Sequence, residues 1–254
     1  MSPRAPGAKP QCAYFAITFD VTPNMWCRLK DLMGRKPGMG FIVYGAAGSG
    51  SVPVEAALTL LEIAHEVIEA PTWEGDEQRD RVAPVNPMRQ IPALVTPDGE
   101  TITESAAILI WLADNHPEGR LAPAPDDPRR AQFLRWMSFI PASIYSMYWV
   151  RDEPSRLVGD DEAAQDQVLA RTAERIAACW AVMDVQVQPG RFILGDHLTV
   201  LDLDVAVASR WTPRRRRFYA EAPNLGQVVR HVDALPELAD FWSRRFPFEA
   251  DWEG

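Results

Sequence analysis

Two short, neighbouring segments constrain the fold of this chain more than any other part of its sequence. Residues 89–94 read Arg-Gln-Ile-Pro-Ala-Leu, and residues 103–109 read Thr-Glu-Ser-Ala-Ala-Ile-Leu. Because proline has no N–H group, Pro92 must stand at a sheet edge or at the first position of a strand. The peptide bond between Ile91 and Pro92 is a candidate for cis geometry. The segments therefore predict a strand that opens after Pro92 and a helix that opens at Ser105.

The same segments offer backbone groups to a ligand. A cis bond before Pro92 turns the chain sharply and leaves the N–H and C=O groups of Ile91 available, and such groups at an edge can pair with an extended peptide. The first turn of a helix, here after Glu104 and Ser105, offers N–H groups to an anion. Together they predict a site for a small peptide with a carboxylate at one end.

A β-α-β pattern precedes these segments. Residues 41–44 form a short apolar run before a glycine-rich turn at 45–51, which is typical of a buried strand. From Val52 the pattern becomes helical, with Pro53 in the first turn, where its missing N–H costs nothing. Residues 65–70 are a second strand candidate. The order predicts a parallel strand pair with a right-handed crossover.

A hairpin is predicted where residues 89–94 lead into residues 103–109. Residues 97–99, Pro-Asp-Gly, separate strand candidates at 93–96 and 101–103, and Asp and Gly tolerate the dihedral angles of a tight turn. The polar stretch at 73–85 predicts no more than a short helix. The next helix is predicted at residues 105–115.

The second half of the chain reads as helical. It follows a stretch with four prolines, at positions 117, 123, 125 and 128, which is typical of a linker between domains. Pro141 is expected to kink or end the first helix beyond it. A strand-like run is predicted at 192–194. The helix candidates are residues 129–147, 161–187, 224–234 and 236–246.

Three features of the second half have structural interpretations. Thr199 and Asp202 have the spacing of a capping box, so Asp202 is expected to serve folding rather than chemistry. The basic run at 214–217 is interpreted as a solvated helix end or loop. Cys179 lies in an apolar helical stretch and is interpreted as a small core residue.

Composition excludes several classes of function. The chain of 254 residues has a net charge of −9, and its first 40 residues are basic, so the remainder is more acidic still. This balance argues against nucleic acid, which needs a basic stripe. Three cysteines without a repeated spacing argue against a disulfide framework or a metal site and favour a reducing compartment. No apolar run approaches the ~20 residues of a membrane helix.

The order strand, x-Pro-x-Leu, strand, Glu-Ser, helix resembles that of the glutathione transferases, and the resemblance covers the chain from about residue 41 to residue 248. It implies a thioredoxin-like α/β domain at residues 40–116, a linker at 117–127 and an all-helical domain at 128–254. Residues 1–39 are predicted to be an extension that is mobile or loosely docked, with no secretory signal apparent.

The resemblance also implies where glutathione would bind. Glu104 would contact the γ-glutamyl amine, and Ser105 with the helix N-terminus would bind the γ-glutamyl carboxylate. Ile91 would exchange backbone hydrogen bonds with the cysteinyl part. Gln90 stands where relatives often place a lysine or glutamine near the glycyl carboxylate; a neutral Gln implies weaker anion attraction, for which Arg89 could compensate. The predicted glutathione-binding residues are Gln90, Ile91, Pro92, Glu104 and Ser105.

The implied reaction also needs a protein group that stabilises the glutathione thiolate, because a free thiol with a pKa of roughly 8.5 is mostly protonated near neutrality. A hydroxyl donor and helix N-terminal N–H groups can stabilise the anion. Ser49 and Ser51 are the predicted catalytic residues; counting back from the helix favours Ser49, and Ser51 is expected to be an N-cap. Tyr44 ranks third. Gly50 stands where bacterial relatives of the beta type carry cysteine, which excludes a mixed disulfide through this position.

The electrophile pocket is expected in the helical domain. Aromatic side chains often line such pockets, although packing in the core or in a dimer is an alternative interpretation for each of them. The candidates are Tyr145, Tyr148, Trp149 and Arg151.

The resemblance predicts a cytoplasmic, homodimeric glutathione transferase in which the glutathione thiolate attacks a small hydrophobic electrophile, as in detoxification, with no metal, nucleic acid or membrane involved. One alternative is a glutathione-dependent disulfide or peroxide reductase that uses the same site. The other is a non-catalytic binding or regulatory protein that keeps the fold.

Overall fold

A four-stranded mixed sheet forms the first part of the chain in the computed structural model, which describes residues 40–211 and 214–247. The strand order is β2-β1-β3-β4. β1 pairs with β2 in parallel, and β1–β3 and β3–β4 are antiparallel. The parallel pair and the hairpin predicted from the sequence are confirmed. The strands are β1 (Phe41–Gly45), β2 (His65–Glu69), β3 (Ala93–Val95) and β4 (Thr101–Thr103).

Three α-helices accompany the sheet: α1 (Val52–Leu60), α2 (Asp76–Val82) and α3 (Ser105–Asn115). The predicted short helix at 73–85 is α2, and α3 has the predicted bounds. Residues from Val52 to Leu58 of α1 are all buried, because α1 packs between α3 and a helix of the second half. Short 3-10 turns lie at Thr72–Glu74 and Pro117–Gly119.

The chain enters β3 through a cis peptide bond between Ile91 and Pro92, as the sequence predicted. The following turn places Gly99 at a φ of 90°, a conformation that glycine adopts without strain. Thr96 closes this turn, because its hydroxyl oxygen accepts a hydrogen bond from the Glu100 N–H at 3.0 Å. The hairpin therefore rests on the turn chemistry that the sequence displays.

The second half of the described chain is helical. Pro141 lies in a π-helical segment, Ile140–Tyr145, which follows directly on the α-helix that ends at Phe139. The predicted kink or end at Pro141 is thus a change from α-helical to π-helical geometry. Such π-helical segments concentrate at functional sites. The helices are α4 (Arg130–Phe139), α5 (Ser146–Asp152), α6 (Ser155–Val158), α7 (Glu162–Asp184), α8 (Val200–Ala208), α9 (Arg214–Glu221), α10 (Pro223–Asp233) and α11 (Ala239–Arg245), with a 3-10 turn at Pro236–Leu238.

Helix α8 joins the two halves, since it packs against α1 on one side and α10 on the other. The capping box predicted at Thr199 and Asp202 is confirmed. The Asp202 carboxylate accepts hydrogen bonds at 2.8 Å from the N–H groups of Ile193 and Thr199 and from the Thr199 hydroxyl. Burial raises the pKa of Asp202 to about 6, although these hydrogen bonds oppose the rise. One apolar core runs from the sheet into the helices.

One expectation for the second half is wrong and another holds only in part. The run at 192–194 forms only an isolated bridge between Phe192 and Gly195 rather than a strand. The basic run at 214–217 is a helix end, as predicted, since it is the first turn of α9. Its second residue is not solvated: Arg215 is fully buried and its Nη1 lies 2.8 Å from the Asp233 carboxylate. Sequence patterning missed this ion pair because its partners lie on different helices.

The remaining predictions concern a cysteine, the division into domains, membrane spans and metal ions. Cys179 is a buried core residue, as predicted. The division into domains remains a prediction, and residues 1–39, predicted as an extension, lie outside the described part of the chain. Among residues 40–211 and 214–247, no helix has the length and apolar character that a membrane span needs, and no group of acidic, histidine or cysteine side chains could hold a metal ion.

Candidate functional site

A large cavity of about 1730 Å³ lies between the sheet and the helical half. We call the lining residues numbered up to 110 the sheet wall and those from 137 onward the helical wall. The sheet wall brings together Ser49, Gln90, Ile91, Pro92, Glu104 and Ser105. The helical wall contains Tyr145, Tyr148, Trp149 and Arg151. Every residue predicted for the site therefore lines one cavity, except Ser51 and the third-ranked Tyr44.

Glu104 and Ser105 stand at the N-terminus of α3. Glu104 is the N-cap residue, at a φ of 67°, and its side chain makes no capping hydrogen bond. A left-handed conformation in a residue other than glycine persists where the surrounding structure holds it, often at ligand sites. No side-chain hydrogen bond to either residue comes from the described part of the chain. Both side chains, and the N–H groups of the first turn, can therefore serve a ligand.

Residues 89–92 form the neighbouring part of the sheet wall. No described residue hydrogen-bonds the N–H or C=O of Ile91, as the sequence analysis expected. The preceding loop is fixed by Asn86, whose side-chain amide donates to the Gln90 carbonyl at 2.8 Å. Arg89 is held by Asp80 at 2.5 Å, so its charge is already neutralised in part. This ion pair weakens the idea that Arg89 compensates for the neutral Gln90.

The turn after β1 carries the two predicted catalytic serines. Ser49 lines the cavity with a residue exposure of 7 %, whereas Ser51 is fully buried and does not line it. The Ser51 hydroxyl donates to the Glu55 carboxylate at 2.6 Å. Ser51 is the N-cap residue of α1, as predicted, but its side chain makes no capping hydrogen bond. Its hydroxyl serves the buried Glu55 instead.

The carboxyl-terminal segment holds this turn in place. Arg245 pairs with the buried Glu55 at 2.5 Å, and its carbonyl accepts from the Gly48 N–H at 2.8 Å. The Trp211 indole donates to the Gly48 carbonyl at 2.7 Å. Trp211 lines the cavity but was missed in the sequence, where it belongs to no periodic segment. The turn thus depends on residues that lie far from it in the sequence.

Aromatic rings dominate the helical wall. The Tyr145 ring meets the Trp211 ring edge-on at a centroid distance of 4.7 Å, and Tyr148 meets the same ring at 5.1 Å. Trp149 is 46 % exposed and lies under the Arg156 guanidinium at 4.9 Å. This wall offers an apolar, polarizable surface to a second ligand.

Arg151 is the predicted cation of the helical wall. It donates to the Leu169 carbonyl and to the Thr172 hydroxyl, the latter at 3.0 Å. Burial lowers the pKa of Arg151, but a guanidinium stays protonated at neutral pH. Within the described chain no carboxylate forms a salt bridge with it. The side chain therefore places a positive charge beside the aromatic surface.

Comparison with known proteins agrees with this architecture. A family model described as the glutathione S-transferase N-terminal domain matches residues 49–115, which include the Ser49 turn, the cis proline and the start of α3. The chain is 27% identical over 203 residues to an uncharacterized GST-like protein, YncG, of Escherichia coli strain K12, a match that covers 80% of this chain and 97% of the relative.

Solved structures share the fold. A glutathione transferase homologue from Sulfitobacter, solved with bound glutathione, superposes with a TM-score of 0.69 at 21% identity over 80% of this chain and 96% of that one. The glutathione transferase URE2P6 from Phanerochaete chrysosporium, solved with oxidized glutathione, gives a TM-score of 0.68 at 20% identity over 82% and 97% of the two chains. Residues 49–115 thus match the N-terminal domain of the glutathione S-transferases, and the thioredoxin-like sheet followed by helices is the fold of these solved structures.

Proposed function

We propose that the cavity binds glutathione along the sheet wall and that the chain is a glutathione transferase. One observation carries the proposal: Ile91, Glu104 and Ser105 line the same cavity, and neither the Glu104 side chain nor the Ile91 backbone has a hydrogen-bond partner within the described chain. Polar groups at a folded surface that lack protein partners are suited to a ligand. Their arrangement matches a peptide with a carboxylate at one end.

In this proposal glutathione lies extended along the sheet wall. Ser105 and the N-terminus of α3 bind the γ-glutamyl carboxylate, and Glu104 binds the amine. The cysteinyl part pairs with the Ile91 backbone in the manner of an added strand. Gln90 lies near the glycyl end. The thiol then lies beside the turn that carries Ser49 and Gly50, and Ser51 makes no contact with it because it does not line the cavity.

The proposed reaction joins the glutathione sulfur to an electrophilic carbon. The thiol loses its proton to water or buffer, and the thiolate attacks the carbon as a carbon–sulfur bond forms. The leaving group departs with its electron pair, or an activated double bond takes up a proton. A small hydrophobic electrophile is expected on the helical wall, against Tyr148 and Trp149. A cytoplasmic homodimer and a role in detoxification are proposed from the family alone.

Calorimetric titration tests the cofactor site directly. The purified protein is expected to bind glutathione with micromolar to low-millimolar affinity. Ser105→Ala should weaken binding at least about tenfold, because a hydrogen bond to a charged group is lost. Ser243→Ala is the matched control, since Ser243 is exposed on α11 and does not line the cavity. Absence of binding by the unmodified protein would reject the proposal.

A reductase that uses the same site is the second candidate, and the size of the cavity favours it. At about 1730 Å³, the cavity exceeds the 300–1,000 Å³ that is usual for one small ligand, so a glutathione conjugate or a second glutathione has room beside the first. Attack of one bound glutathione thiolate on the glutathionyl sulfur of a mixed disulfide would form glutathione disulfide and release the other thiol, without a protein thiol, which agrees with Gly50. Activity on a glutathione mixed disulfide, with none on aryl halides, would select the reductase. Binding without turnover of either substrate would indicate a non-catalytic protein.

A further inference from the structure

The hydroxyl group of Ser49 is committed to its own turn. The Ser51 hydroxyl has one proton, and the Glu55 carboxylate at 2.6 Å is its strongest acceptor. The 3.0 Å contact between the two serine hydroxyls therefore has Ser49 as donor. The Ser49 oxygen also accepts from the N–H groups of Ser51 at 3.1 Å and Ala46 at 3.3 Å. One donor and two acceptor sites are all that a serine hydroxyl has.

The hydroxyl group of Tyr145 differs from that of Ser49, because its hydrogen-bonding capacity is not used within the described chain. It is shielded from solvent, and no residue of the described chain forms a hydrogen bond with it. Tyr145 is the last residue of the π-helical segment and lines the cavity. Its ring is fixed edge-on against Trp211 at 4.7 Å. A buried polar group without a partner is costly unless something else completes it.

Gly50 shows where this hydroxyl lies. A β-carbon at position 50 would be 2.8 Å from the Tyr145 hydroxyl oxygen and 3.4 Å from its ring. The Tyr145 hydroxyl thus occupies the space that a side chain at position 50 would need. Ser105 is a near neighbour of this hydroxyl and lowers the pKa of Tyr145 against the larger effect of burial, but the contact between the two hydroxyls does not have hydrogen-bond geometry. Tyr145 therefore stands between the Ser49 turn and the N-terminus of α3.

We propose that Tyr145, from the helical wall, is the residue that donates a hydrogen bond to the glutathione sulfur and stabilises its thiolate, while Ser49 shapes the turn beside it. The assignment rests on the proposed binding of glutathione. The thiol proton leaves to water or buffer, and Tyr145 keeps its own proton throughout. A hydrogen bond to the charged form of a group lowers its pKa, so the bound thiol ionises at lower pH than free glutathione.

The surroundings of Tyr145 suit a permanent donor. Burial, with a smaller contribution from the negative charge of Asp204, raises the pKa of Tyr145 well above its ordinary value. The group therefore remains a protonated donor across the range in which a thiol titrates. A Ser49 donor, by contrast, would first have to break its hydrogen bond to Ser51.

The test is the pKa of the protein-bound thiol, followed by ultraviolet difference absorbance of the thiolate against pH, together with calorimetric glutathione binding. Tyr145→Phe is expected to raise this pKa by about one unit, and so to lower turnover about tenfold below it, while the dissociation constant changes by less than about threefold. Ser49→Ala should leave the pKa in place. Tyr44→Phe is the matched control, because Tyr44 lies on β1 and does not line the cavity.

Four outcomes are distinguishable. An unchanged thiol pKa in Tyr145→Phe overturns the assignment, and so does a rise seen in Ser49→Ala instead. A large loss of binding at constant thiol pKa also overturns it, because the hydroxyl would then hold the γ-glutamyl carboxylate. If the unmodified protein binds no glutathione, the proposed function itself fails. Tyr145→Phe removes a hydroxyl without a protein partner, so an unchanged or higher melting temperature shows that folding is intact.

Discussion

The two walls of the cavity are constructed differently. The sheet wall takes its ligand-facing groups from short continuous stretches, the turn at 47–50, the loop at 89–92 and the start of α3. The helical wall takes its groups from the π-helical segment, from α5 and from Trp211 and Phe246, which are separated by long stretches of chain. Local geometry orients the first set, whereas packing between distant elements orients the second.

This difference indicates a division of labour. Backbone N–H groups and small polar side chains suit a ligand of constant peptide shape, because turns and helix starts fix their directions. Aromatic rings suit a ligand of variable shape, because their surface is not directional in the same way. On the proposed function, the sheet wall recognises glutathione and the helical wall recognises the second substrate. Tyr145 is the exception, because this residue of the helical wall is proposed to donate a hydrogen bond to the glutathione sulfur.

The largest expected effect comes from separating the turn of the sheet wall from the carboxyl-terminal helix that supports it. Arg245→Ala leaves Glu55, whose side chain is 1 % exposed, without its partner. An uncompensated buried carboxylate should lower the free energy of unfolding by about 3 kcal/mol. Chemical denaturation measures this loss. Arg244→Ala, which changes an exposed neighbour on α11, is the control, and equal midpoints for the two variants would contradict the prediction.

The next effect concerns α8, which lies behind both walls. Both carboxylate oxygens of Asp204 are buried without a hydrogen-bond partner in the described chain, and burial raises the pKa of Asp204 from 3.8 to about 7. As pH rises, the unfolded chain releases this proton first, so the folded state loses stability across that interval and stays destabilised above it. Asp202, whose pKa is also raised, contributes equally to both proteins in a comparison.

Asp204→Asn should therefore be more stable than the unmodified protein at pH 8 by about 2 kcal/mol, with a smaller difference at pH 5. Denaturation midpoints at the two pH values measure the change. A difference that does not grow with pH would show that the Asp204 carboxylate has a partner in solution.

A smaller effect is expected where the two walls touch. Gly50→Ala introduces a β-carbon 2.8 Å from the Tyr145 hydroxyl oxygen, and crowding of this kind should cost about 1 kcal/mol. Adding Tyr145→Phe should restore most of the loss, because the crowded atom is then absent. Denaturation of the two single variants and the double variant forms a complete cycle. Additive losses would indicate that residues 50 and 145 are not in contact.

The smallest effect on stability, and the most specific effect on function, is expected at the rim of the helical wall. Trp149 is 46 % exposed, so Trp149→Ala should hardly change the melting temperature. It should raise KM for an aromatic electrophile several-fold and leave the dissociation constant of glutathione unchanged. Trp73→Ala, an exposed indole on the sheet wall, is the counterpart. Equal changes in KM in the two variants would show that the two walls do not bind separate ligands.

Much of the fold could be predicted from the sequence, because its signals act over short distances. The proline before β3, the Pro-Asp-Gly turn and the Thr199–Asp202 box each specify a conformation within a few residues. The buried Arg215 could not be predicted in this way, because its partner Asp233 lies on α10 and no local pattern reports it. The strand prediction at 192–194 is wrong for a different reason: Phe192 pairs with Gly195 three residues later, so the segment closes a turn instead of joining a sheet.

The candidate site divides in the same manner. The sequence by itself determined the cis bond before Pro92 and the start of α3 at Ser105, since turns and helix starts are local; the binding of a peptide by Ile91, Glu104 and Ser105 is the proposal built on them. Only the tertiary structure decided that Ser51 faces Glu55 and that Ser49 donates its hydroxyl proton within the turn. It also decided that the Tyr145 hydroxyl lies next to Gly50 without a hydrogen-bond partner in the described chain. The direction of a hydroxyl depends on the acceptors around it, and here those acceptors are brought together by packing.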